Sequence, residues 1–147
     1  MIVVLDTNVW ISALQFAKHH GTPTQALEKA MSEDVIASCT EIEAEILRVL
    51  TKKFLWEPNR AYAALEAVLG RAIRVRLLGT VKECRDPDDD MFLECAARAN
   101  ADLLIAGDKD LLVLGSYKGS RILTPAEYLR TVLIYESACL RTLPAFG

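Results

Sequence analysis

The sequence predicts an α/β domain: a three-layer α/β/α sandwich around a central, mainly parallel sheet of about five strands. Two observations predict it. Short apolar runs rich in Val, Ile and Leu recur along the chain, and stretches of helical periodicity separate them. That alternation places helices on both faces of a parallel sheet. The length of 147 residues and the 52% apolar content supply one core of ordinary size and exclude a disordered chain.

Met1-Ile-Val-Val-Leu5 is an unbroken apolar run, as a strand buried on both faces should be. Trp10 and Phe16 follow at near-helical spacing and read as core, or as a surface for a second copy, rather than as base-stacking platforms. His19 and His20, the only imidazoles, fall in a polar loop and read as solvated. Val35-Ile-Ala37 is the second strand. Thr40 and Glu43 have the spacing of a capping box opening a helix whose Ile42, Ile46, Val49 and Leu50 share one face. A further helix covers Ala61–Arg71, and Ile73–Leu78 alternates with Arg as a third strand. Asp90–Ala99 is helical, with Phe92, Leu93, Ala96 and Ala97 facing inward. Strands at Leu103–Ala106 and Ile122-Leu123 follow, and Thr124-Pro125 signals a last helix with Pro at its first position. The expected domain spans 1–133, with 134–147 as a tail or interface segment.

A net charge of −3 at first argues against a nucleic-acid partner. The charge is segregated, however. Residues 48–76 carry Arg48, Lys52, Lys53, Arg60, Arg71, Arg74 and Arg76 against only Glu57 and Glu66, whereas acids crowd the stretches on either side. No apolar run reaches the ~20 residues of a membrane span. No basic leader precedes Asp6, and Cys39, Cys84, Cys95 and Cys139 form no CxxC pair. A cytoplasmic protein without disulfides or membrane contact is expected.

The acids fall where the strands end. Asp6 directly follows the first strand, and Asp108 follows the Leu103–Ala106 strand after a single Gly. Ligand crevices in open parallel sheets lie beyond the carboxyl ends of the strands, so both should emerge on one edge. Glu45, one turn inside the helix after the second strand, can face that edge too. Asp90 opens the helix before the fourth strand. A start at the bottom of the sheet would place it poorly, and the irregular Glu83–Asp89 segment is expected to carry the chain back over the top.

Alone, each acid has an ordinary use: Asp6 as a helix cap, residues 86–90 as a turn, Glu45 as a partner of Arg48, Asp108 and Asp110 as caps of a short 111–114 helix. Together they repel one another unless a cation joins them. Oxygen-only ligation without His or Cys suits Mg²⁺ or Mn²⁺, and the chemistry such an ion favours is phosphodiester or phosphomonoester hydrolysis. Setting Asp6, Glu45, Asp90 and Asp108 aside turns the balance of 17 basic against 20 acidic residues basic. Other phosphate-handling sheets fit less well. A haloacid-dehalogenase-like phosphatase needs an Asp where Asn8 stands, a receiver domain needs an acidic pair after the first strand, and no GxGxxG marks a dinucleotide site.

Four stretches carry a family resemblance: LDTNVWISAL, SCTEIEAEILRVLTKKF, RDPDDDMFLECAARANADLLIAGDKDLL and RILTPAEYL. In this order and spacing, from Ile2 to about Val132, the chain resembles the PIN domain family, named for the N-terminal domain of the pilus-twitching protein PilT. Within it the likeness is to the toxin components of prokaryotic toxin–antitoxin pairs, the VapC-like ribonucleases. The resemblance implies a Mg²⁺- or Mn²⁺-dependent ribonuclease acting on single-stranded RNA. Its catalytic quartet falls on Asp6, Glu45, Asp90 and Asp108, with Asp6, Asp90 and Asp108 as metal ligands. Asn8 matches a position that can orient Asp6, and Asp110 a frequent additional acid. Where the family often has Thr or Ser, this chain has Ala106. Arg48 and Lys52, one turn apart on the Glu45 helix, are the expected RNA contacts. A small antitoxin and a homodimer are implied as partners. The alternatives are a non-catalytic PIN module binding RNA or a protein, and another Mg-dependent phosphohydrolase.

Overall fold

A computed structural model describes residues 1–130; the remainder of the expected 1–133 domain and the 134–147 segment lie outside the described residues. The chain opens with strand β1 (Ile2–Leu5), helix α1 (Thr7–Gln15), a 3₁₀ turn (Ala17–His19) and helix α2 (Thr22–Glu33). Strand β2 (Val35–Ser38), helix α3 (Thr40–Lys52), helix α4 (Pro58–Leu69) and the short strand β3 (Ile73–Arg74) follow. A long connector, residues 75–86, leads to a second 3₁₀ turn (Pro87–Asp89), helix α5 (Asp90–Ala99), strand β4 (Leu103–Ile105) and helix α6 (Lys109–Leu112). Strands β5 (Ser116–Tyr117) and β6 (Ser120–Leu123) precede a last helix, α7, which begins at 125.

The six strands form one sheet in the order β3-β2-β1-β4-β6-β5. All neighbours are parallel except β5 and β6, which form a hairpin across Lys118-Gly119. Both turn residues have positive φ, 45° and 89°, as a two-residue hairpin requires. The mainly parallel sandwich is the fold the sequence predicts, with β5 added. Two residues are too few to show a periodicity, so that strand carries no sequence signal of its own.

The strands lie where the apolar runs are because they are covered on both faces. Val3, Val4 and Leu5 are fully buried, as are Leu104 and Ile105 of their neighbour. Ile42, Ile46 and Leu50 make the inner stripe of α3, and Leu93 that of α5. Burying side chains of this size stabilises the fold by about 1.5–3 kcal/mol each. Trp10 is fully buried and belongs to the core, whereas Phe16 is exposed and meets Phe54 edge-on. His19 and His20 are solvated, His20 beside Glu28 at 2.8 Å.

The capping expectations divide. Thr40 is the first helical residue of α3 rather than its cap; Cys39 takes that place without a side-chain bond, and Glu43 turns to Arg74. The reciprocal capping box appears at α7 instead, where Thr124 Oγ1 accepts from Glu127 N and Glu127 Oε1 from Thr124 N. The α5 start lies where the return of the 83–89 segment over the top edge puts it. A helix feeding a parallel strand runs against it, and the tight turn at Asn100 (φ 51°) joins α5 directly to β4. Its first turn therefore lies at the carboxyl edge of the sheet, not at the bottom.

Candidate functional site

Strand order reverses at β1: the chain builds outward through β2 and β3 on one side, then returns to lay β4 and β6 on the other. Loops leaving β1 and β4 in opposite directions open a crevice at their carboxyl ends. A cleft of about 180 Å³ lies there, lined by Asp6, Asn8, Glu45, Asp86, Asp89 and Asp108, with Thr7, Asp88 and Phe92 completing the wall. Among the described residues no Lys or Arg lines it.

Asp6 caps α1 and is held from three sides. Its Oδ1 accepts from Val9 N at 2.9 Å, and its Oδ2 from Gly107 N at 2.9 Å and Asp108 N at 3.3 Å. The last two bonds tie the end of β1 to the loop after β4 and set Asp6 beside Asp108. Burial pushes the Asp6 carboxyl up in spite of these donors, and the Asp108 charge adds to the rise. Asp108 caps α6 by accepting from Asp110 N at 2.8 Å. Glu45 reaches the cleft from α3 and forms no ion pair with Arg48 among the described residues. Asn8 lines the cleft but makes no hydrogen bond to Asp6 among the described residues, so backbone N–H groups, not its amide, orient that carboxylate.

The run Asp86-Pro-Asp-Asp-Asp90 resolves in an order the sequence does not show. Asp89, at the end of the 3₁₀ turn, is 8% exposed and faces the cleft; its carboxylate, with those of Asp108 and Asp110, offers oxygens all within 4.8 Å of one another. Its Oδ2 is buried without a hydrogen-bond partner. Burial, followed by the charges of Asp108, Asp86, Asp110 and Asp6, pushes its carboxyl up to about 7.

Asp90 is turned elsewhere. Its Oδ1 accepts from Glu83 N at 2.9 Å and Cys84 N at 2.7 Å, and it lines a separate cleft with Leu78, Gly79 and Glu94. The structure thus brings Asp6, Glu45 and Asp108 together as expected and puts Asp89, not Asp90, beside them. Side chains one residue apart on a helical turn diverge by about 100°, and the backbone N–H groups of the connector claim Asp90.

One turn further along α5, Glu94 does the same work. It accepts from Leu78 N at 2.6 Å, Gly79 N at 2.9 Å and Arg98 Nε at 2.7 Å. Burial alone would raise its carboxyl, but these donors outweigh it and hold the group below its usual range. Asp90 and Glu94 together latch the 75–86 connector onto α5. Burial and the Asp90 carboxylate push the Cys84 thiol up to about 12, so it is no nucleophile. Cys39 and Cys95 are buried and, like Cys84, free.

The sequence reading also passed over Thr7, whose hydroxyl is buried at the cleft wall without a partner. Its signal was its place directly after Asp6. Ala106 is fully buried and pairs through its N–H with Leu123 O, so β4 contributes no hydroxyl to the cleft.

A mainly parallel α/β sheet with carboxylates gathered at its reversal point defines a class of acidic-cleft domains. Residues 2–110 match the PIN domain family, and the chain belongs to it. It is 32% identical over 117 residues to Uncharacterized protein MJ1680 of Methanocaldococcus jannaschii, covering 76% of this chain and 74% of that one. In fold it is similar to a chain of VapBC2 from Rickettsia felis, seen in a crystal structure bound to a DNA fragment from their promoter. The TM-score is 0.57 at 18% identity, over 83% of this chain and 97% of that one.

Proposed function

We propose that this protein is a Mg²⁺- or Mn²⁺-dependent endoribonuclease that cleaves single-stranded RNA, and that it is the toxin of a toxin–antitoxin pair. The observation that carries the reading is the buried, partnerless Oδ2 of Asp89 amid like charges. A buried acceptor without a donor costs about 1–3 kcal/mol, and a cation removes that cost and the repulsion together. The donor set fits: among the described residues it is all oxygen, with no imidazole or thiolate at the cleft.

Asp6, Asp89 and Asp108 hold the cation in this reading, with Asp110 as an additional acid. When bound, the cation supplies electrostatic stabilisation of the phosphoryl group and activates water. Glu45 orients the attacking water and takes its proton on a carboxylate oxygen. In-line attack breaks the bond to the 3′ oxygen, which leaves with a proton from solvent, giving a 5′-phosphate and a 3′-hydroxyl. The three N–H groups on Asp6 keep its carboxylate fixed while charge moves, which spares reorganisation during the step. Arg48 and Lys52 guide the RNA backbone toward the cleft.

The fold likeness to a VapBC2 chain supports a small antitoxin as partner; a homodimer acting in the cytoplasm completes the proposal. No helix among the described residues is long and apolar enough to cross a membrane. The test pairs two readouts on the purified protein: cleavage of single-stranded RNA with Mn²⁺, and thermal stabilisation by Mn²⁺ alone. Both are expected in the wild type and lost in Asp89→Asn. A wild type showing neither overturns the reading.

A further inference from the structure

Three clefts run end to end along α3. The carboxylate cleft shares Glu45 with a groove of about 430 Å³ whose wall includes Glu41, Arg48 and Met91. That groove shares Arg48 with a third cleft of about 340 Å³ between α3 and α4, lined by Leu47, Thr51, Pro58, Asn59 and Tyr62. Glu41, Glu45, Arg48 and Lys52 are spaced four, three and four residues apart, the spacing of a single helix stripe. The stripe is acidic where it meets the proposed metal site and basic at its other end.

The basic end is free to take a ligand. Arg74 of the same basic stretch is committed to Glu43 at 2.9 Å and Glu66 at 3.1 Å. Among the described residues Arg48, Lys52, Lys53 and Arg60 make no ion pair. Arg60 is held in place instead: its guanidinium lies 3.8 Å from the centre of the Trp56 ring, and Trp56 Nε1 donates to Gln15 Oε1 at 2.6 Å. Tyr62, which is 59% exposed, lines the same cleft as Arg48, and Lys52 lies one turn of α3 beyond Arg48. An exposed ring among unpaired cations is the combination with which single-stranded nucleic acids are held, by stacking and by phosphate contact.

We infer that the α3–α4 cleft is a nucleotide subsite for the RNA strand, outside the scissile phosphate. A base stacks on Tyr62, Asn59 offers its amide to the base edge, and Arg48 and Lys52 take the flanking phosphates. Seven residues of α3 separate Glu45 from Lys52, about 10 Å along the axis, so the subsite serves a nucleotide beyond the one being cut. The inference rests on the ribonuclease reading and gives it a residue-level determinant of affinity.

The test measures a short mixed-sequence single-stranded RNA by anisotropy with Ca²⁺ and by cleavage with Mn²⁺. Tyr62→Ala is expected to weaken binding about tenfold, the size of one lost base stack, and to raise KM with kcat unchanged. Tyr62→Phe keeps the stack and is expected to bind like wild type. Arg48→Ala is expected to reduce the slope of log affinity against log salt by about 0.7. Arg71→Ala, in a separate cleft with Met31 and Asp34, is expected to change neither readout. A wild type that cleaves RNA while Tyr62→Ala binds it equally well overturns the subsite alone. If Tyr62→Ala alters the oligomeric state and leaves RNA affinity intact, the cleft belongs to a second copy and the inference fails. A wild type that neither binds nor cleaves RNA overturns the ribonuclease reading and the subsite with it.

Discussion

Asp89 and Asp90 are neighbours in sequence and equally buried, at 8% exposure, yet their surroundings are opposite. Asp90 meets two backbone N–H groups, and Glu94, a turn away, meets two more and an arginine. Asp89 meets other carboxylates, keeps one oxygen without a partner, and is pushed up to about 7. Donors have already filled one region, which holds a loop. The other is crowded with like charge and keeps one carboxylate oxygen without a donor, the arrangement that the proposed cation would relieve. The state of each carboxylate's lone pairs, more than the presence of carboxylates, separates a site from a structural latch.

The sharpest way to break this contrast is to exchange the two roles. Asp89→Asn is expected to lower Mn²⁺-dependent RNA cleavage by about a hundredfold or more, the scale of losing one group that stabilises transition-state charge. Asp90→Asn is expected to cost far less. Comparable losses from both, measured as kcat/KM on one RNA, would falsify the division of labour. Next in size is the response to the cation itself. At a concentration a hundred times its Kd, Mn²⁺ should stabilise the wild type by about 2.7 kcal/mol, read as a rise in Tm, and should not stabilise Asp89→Asn.

The latch should fail in a different way. Glu94→Ala strands the N–H groups of Leu78 and Gly79, and a loss of about 1–3 kcal/mol is expected in urea denaturation. Hydrogen exchange should rise in residues 75–86 while Mn²⁺ stabilisation persists. Intact protection there would show that other contacts hold the connector.

The contrast also has a pH signature. Asp89 titrates near 7 in the fold against an ordinary 3.8, so between those values the native state binds the extra proton. The stability its protonated form supplies is full below about 3.8 and is lost as pH rises through about 7. Chelator-treated wild type should therefore lose more stability than Asp89→Asn between about pH 5 and about pH 8. Parallel pH profiles for the two proteins would count against a raised Asp89.

Much of the site was legible before any coordinates. Asp6 and Asp108 each follow a run that can only be an inner strand, and parallel pairing then leaves them one edge to share. Glu45 lines the cleft, a placement fixed by its register on α3 relative to the buried Ile42 and Ile46. Asp89 did not read so, because a run of adjacent acids has no periodicity to say which one turns inward. Thr124-Pro125 marked the start of α7 correctly, whereas the two-residue β5 was too short to show a period, and the α3 capping box failed because Glu43 turns to Arg74, a partner far along the chain.

The order of apolar runs and helical stripes, and hence the parallel sandwich and the edge on which acids collect, belongs to the sequence by itself. Burial by period is a local property that the longer strands and helices show alone. Which carboxylate faces the cleft and which holds the connector was decided only in the tertiary structure. A carboxylate turns toward the donors within reach, and the N–H groups of Glu83 and Cys84 come within reach of Asp90 only once the 75–86 connector has folded back over α5.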